Sequence, residues 1–68
     1  MTKVKILPSK FTDLSDVHIK SLEDRLNMFY KQLHEETSER IQFWIREEIY
    51  GFETALAVLG YMTEKVED

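Results

Sequence analysis

The sequence predicts an all-α protein: a helical hairpin of two amphipathic helices, at about residues 15–36 and 38–59, behind a short extended arm. Three features point that way. Apolar residues recur three and four apart over two long stretches, which is the helical period. The two stripes differ in phase. No cysteine is present, so disulfides and thiolate metal sites are excluded as sources of stability. A chain of 68 residues forms one domain, near the lower size limit for folding alone. Regular helix packing and self-association are the remaining supports, and two such hairpins would dimerise into a four-helix bundle.

Residues 1–10 are expected to be an extended basic arm. Val4 and Ile6 alternate with Lys3 and Lys5, a strand-like period of two, but one short strand finds no evident partner in the chain. Pro8 closes the segment and biases Leu7 toward extended backbone. The arm has little to bury, so function is expected to reside in the second helix and the arm to be dispensable.

Ser15 is placed to cap the first helix, with Leu14 and Ile19 as its hydrophobic staple. Asp16 suits the positive end of the helix dipole and stands four residues before Lys20. The apolar face then runs through Ile19, Leu22, Leu26, Phe29, Tyr30 and Leu33. The segment His34-Glu35-Glu36-Thr37-Ser38-Glu39 breaks this stripe, and a second one starts in a new phase at Ile41. Such a shift is either a turn, with Thr37 or Ser38 capping a new helix, or a stutter in one long helix. A turn lets the two stripes bury each other.

The second stripe reads Ile41, Trp44, Ile45, Ile49, Phe52, Ala55, Leu56 and Leu59, which places Trp44 in the core. Gly51 costs about 1 kcal/mol inside a helix, consistent with a close helix approach or a kink. Gly60 suits the left-handed position after the last turn, with Tyr61 packing back on Leu56. Residues 62–68 read as a frayed acidic tail.

Charge is uneven. Residues 1–10 carry Lys3, Lys5 and Lys10 and no acid, whereas residues 11–68 hold all thirteen acids against six basic residues. Direct nucleic-acid binding is therefore disfavoured, because it needs clustered basic residues. No apolar run reaches the roughly 20 residues that cross a membrane, and the N-terminus lacks the apolar core of a signal peptide. A cytoplasmic protein is expected.

No catalytic, metal or cofactor site is expected. His18 and His34 have no second ligand at helical spacing. The pairs Glu35-Glu36 and Glu47-Glu48 diverge by roughly 100° on a helix, unlike carboxyls facing each other across a pocket. Phosphate-binding and nucleophile-elbow motifs are absent from the sequence. Phe43 and Tyr50, in contrast, lie almost opposite the second stripe, with Ala57 continuing their line. A monomeric hairpin covers only one side of this helix, and aromatics are favoured at interfaces.

The stretch Gly51-Phe52-Glu53-Thr54-Ala55-Leu56-Ala57-Val58-Leu59-Gly60-Tyr61 resembles the ends of short uncharacterised proteins carried by Gram-positive phages and mobile elements. That resemblance implies a small accessory or regulatory protein acting by binding, without assigning any residue a role. The expectation is thus a homodimer that acts by protein–protein interaction and is not an enzyme, with no cofactor or small-molecule substrate. Phe43, Tyr50, Glu47, Glu36 and Glu39 are the candidate partner-binding residues. One rival is an acidic inhibitor that imitates nucleic acid with Glu35, Glu36, Glu39, Glu47, Glu48 and Glu53. Another is an enzyme whose site forms only in the oligomer.

Overall fold

Each helix begins where a serine side chain accepts an otherwise unpaired amide. In the computed structural model, which describes residues 2–8 and 14–67, Ser15 accepts from the His18 amide and opens α1 (Asp16–Glu35). Ser38 accepts from the Ile41 amide and opens α2 (Glu39–Val58). Between them, one carboxylate oxygen of Glu36 accepts from the Thr37 and Ser38 amides, each at 3.0 Å. The Glu36 carbonyl takes the side-chain amide of Gln42 at 2.6 Å. The phase shift is a turn. α2 stops before Gly60, whose φ of 94° falls in the left-handed region and whose amide bonds the Ala57 carbonyl, as glycine does after a last helical turn.

The ends of the chain overturn the all-α expectation. β1 (Thr2–Pro8) and β2 (Tyr61–Glu67) pair antiparallel, from Thr2 opposite Glu67 to Pro8 opposite Tyr61. The fold is a helical hairpin packed on a two-stranded sheet, in the order β1-α1-α2-β2, not the half of a four-helix bundle. Residues 2–8 are no free arm and residues 62–67 no frayed tail, while Lys10 and Asp68 lie outside the described residues. The partner that β1 lacked locally stands at the far end of the chain. In β2, Tyr61, Thr63 and Lys65 alternate with Met62, Glu64 and Val66. Each side mixes polar with apolar, so no period of two betrays the strand.

Val4, Ile6, Leu26, Ile49, Leu56 and Tyr61 form the buried core, so three of its six residues come from the strands. Phe29 and Phe52 pack edge to face across the helix pair, ring centres 6.2 Å apart. The Leu14 amide donates to the Tyr61 hydroxyl at 3.1 Å, which ties the start of α1 to β2. Trp44 is not in this core: it is 66% exposed. A Cβ on Gly51 would meet nothing within 4 Å, so this glycine serves no close approach within the chain. Lys20 pairs with Asp24 at 2.7 Å rather than with Asp16.

The edge of β1 that faces away from β2 is closed by α1. The Asn27 side-chain amide accepts from the Val4 amide at 2.7 Å and donates to the Val4 carbonyl at 3.0 Å. It occupies the place a third strand would take. One turn earlier on the same helix face, the Glu23 carboxylate accepts from the Ile6 amide at 2.9 Å.

Replacing Asn27 by leucine removes two hydrogen bonds and leaves the Val4 amide and carbonyl facing an apolar side chain. We expect a loss of about 2–3 kcal/mol in urea denaturation. Deleting residues 2–7 removes Val4 and Ile6 from the core and strands β2, so cooperative thermal unfolding followed by circular dichroism should disappear.

Candidate functional site

α2 is covered along a narrow strip. Ile49 and Leu56 are buried, and Gln42, Ile45, Phe52 and Glu53 are half-buried, an arc of roughly 100° at the helical pitch. Its centre lies between Ile45 and Ile49. From there Phe43 and Tyr50 stand roughly 125° away on one flank, and Trp44 a similar angle away on the other. The three aromatics are 62%, 70% and 66% exposed respectively. Glu47 faces directly outward between the two flanks.

Of the residues singled out from the sequence, Phe43, Tyr50 and Glu39 share one flank of α2, and Glu47 borders it. Glu36 is elsewhere. It lies in the turn with its carboxylate engaged by backbone amides. The flank of Phe43 and Tyr50 borders a groove of about 340 Å³ that Tyr50 lines together with Tyr30, Leu33, Arg46, Glu53 and Lys65. There the Tyr30 hydroxyl donates to Glu53 at 2.5 Å, and the Lys65 ammonium stands 5.7 Å from the Tyr30 ring centre, within cation–π range.

On the opposite flank Trp44 separates two grooves. The larger, about 570 Å³, runs between the helices near the turn; its apolar lining is Phe29, Ile41, Trp44 and Ile45, with Gln32, Glu35, Glu36 and Glu48 as polar neighbours. The smaller, about 420 Å³, is lined by Trp44, Glu47, Glu48, Gly51 and Phe52. An apolar stripe that begins at Ile41 takes in Trp44 and so hides this side. Centring it on Ile45, Ile49, Phe52 and Leu56 would have turned Trp44 outward.

Lys3 and Lys5 belong to a third groove, of about 470 Å³, between β1 and α1, which Lys20, Lys31, Asn27 and Met28 also line. Ser15 and His18 approach at 3.1 Å, but the hydroxyl is also the cap of α1 and both residues are exposed. Among the described residues no three histidines or carboxylates gather in a way that could hold a metal ion. None of their helices is long and apolar enough to cross a membrane.

Burial, the hydrogen bond to Glu53 and the Glu53 charge together hold the Tyr30 hydroxyl well above the ordinary tyrosine pKa. Folding therefore favours the protonated phenol. Its contribution to stability is complete below about pH 10, where free tyrosine begins to ionise, and is lost as pH rises beyond that. Tyr30→Phe should cost about 1–2 kcal/mol near neutrality. Urea denaturation between about pH 8 and about pH 11 should show a shallower alkaline decline for this variant than for the parent protein.

Comparison with protein-family models, with curated proteins and with solved structures finds no match to this chain.

Proposed function

We propose that this protein is a small cytoplasmic accessory or regulatory protein that works by binding other proteins, is not an enzyme, and pairs with a second copy through the Phe43–Tyr50 flank of α2. The exposure of Phe43 and Tyr50, 62% and 70%, supports this most directly. Both stand on a helix whose core contacts lie elsewhere, so neither is required to bury the hairpin. Leaving large aromatic side chains in water forgoes roughly 1.5–3 kcal/mol for each that could be buried. A two-fold contact would bury four of them around one axis, and interfaces concentrate their energy in such anchors with a polar surround. Glu39 and Glu47 supply that surround here, while Glu36 contributes by fixing the turn at the start of α2.

Sedimentation at micromolar concentration should give a mass near twice 8.1 kDa. Phe43→Glu combined with Tyr50→Glu should give a folded monomer with an unchanged helical spectrum, since neither residue belongs to the core. A parent protein that sediments as a monomer at high concentration would overturn the pairing.

A further inference from the structure

We propose that the twin grooves on either side of Trp44 are a docking site for a cationic amphipathic helix of a partner protein. The proposal deepens the binding reading above and rests on it, but it uses the other flank of α2 from Phe43 and Tyr50.

The groove has an apolar floor and an acidic rim. Phe29, Ile41, Trp44 and Ile45 supply the floor, and Glu35 and Glu48 border it. Glu47 extends the acidic side into the adjoining groove. Neither groove has a lysine, arginine or histidine in its lining among the described residues. A neutral occupant would strip water from these carboxylates without pairing them, and an acidic one would be repelled. A segment with an apolar stripe flanked by lysine or arginine meets both demands, because its cations reach the rim as its apolar face covers the floor.

A helix is the form that fits. The larger groove lies between two packed helices, where a third can lay an apolar face as in other helix-in-groove complexes. Gly51 adds the room. A Cβ there would meet nothing within 4 Å, so an incoming backbone can come close beside Trp44, which is the exposed anchor. Trp44 also offers a ring face to a lysine or arginine.

A second copy of this chain is the poorer occupant. Its α1 carries Lys20, Arg25 and Lys31 against Asp16, Glu23, Asp24 and Glu35, and its α2 carries Arg40 and Arg46 against Glu39, Glu47, Glu48 and Glu53. Neither helix is cationic.

Trp44 is the sole tryptophan, so its emission reports on the groove. The full chain would be titrated with a tryptophan-free leucine–lysine peptide of about 18 residues, roughly five helical turns. A scrambled peptide of the same composition and a leucine–glutamate peptide would serve as controls. We expect a saturable blue shift with the amphipathic lysine peptide alone. Affinity should weaken at least about tenfold from about 0.05 to about 0.5 M salt, as charge-steered binding does. Glu35→Gln with Glu48→Gln, and separately Ile41→Ser, should each weaken binding by about tenfold or more. Asp16→Asn with Glu64→Gln, which removes two charges away from the grooves, should leave it within about twofold. Equal binding of the scrambled peptide, equal loss in both charge pairs, or no change in emission would overturn the proposal by showing diffuse attraction or none. The Phe43→Glu, Tyr50→Glu protein should bind the peptide as the parent does, so failure of the dimer and failure of the groove are read separately.

Discussion

The antiparallel pairing of β1 with β2 is the constraint on which the rest of the structure depends. It closes the chain end to end and brings Val4, Ile6 and Tyr61 against Leu26, Ile49 and Leu56. A two-stranded sheet is marginal by itself, and a helical hairpin of this size has too little apolar surface to stand without a second layer. Each supplies what the other lacks. Asn27 and Glu23 make the junction specific, because they satisfy the Val4 amide and carbonyl and the Ile6 amide, which point away from β2. A strand edge that would invite another chain is thereby closed from within the domain. The other edge belongs to a short strand carrying Glu64 and Lys65, charges that discourage pairing.

This economy leaves α2 under-covered. α1 and the sheet reach it along one strip, and no further layer exists among the described residues to cover its other sides. Phe43, Tyr50 and Trp44 therefore stand outside for a geometric reason, and they stand on two flanks rather than one. Glu47 lies between the flanks, so contact on one need not exclude contact on the other. One helix thus carries two exposed aromatic flanks, and the core draws on neither.

How far the sequence disclosed this depended on the range over which each signal acts. Local chemistry was legible in part: Ser15 as a cap and Gly60 as the left-handed stop follow from neighbours within a turn, whereas the break at residues 34–39 allowed either a turn capped by Thr37 or Ser38 or a stutter in one long helix. The sheet was not, because β1 and β2 meet across the whole chain and β2 carries no apolar alternation. Asn27 offered no sign of its role, since an asparagine on an amphipathic helix usually faces water. Trp44 was misplaced by centring a broad apolar stripe too near its first residue. On a helix that is apolar over most of its circumference, the periodicity alone does not say which arc is buried. Phe43 and Tyr50 could be read as outward-facing because they lie far from any centring of the stripe that keeps Ile49 and Leu56 inside.

Charge adds the last constraint on what the surface can do. Lys3, Lys5, Lys20 and Lys31 gather along the β1–α1 groove, and Glu35, Glu47 and Glu48 border the grooves beside Trp44. The molecule is electrically polar, and its strongest apolar anchor stands on the acidic side. Steering and burial then select the same approach: a cationic segment is drawn toward the face where its apolar residues find Trp44 and Ile41. On the basic side Met28 is 39% exposed, but Lys20 is already paired with Asp24 and no exposed aromatic lines that groove. Attraction there has little apolar contact to hold what it collects. The same long-range charge thus favours encounter on both sides, while desolvation of an aromatic floor converts encounter into residence on one.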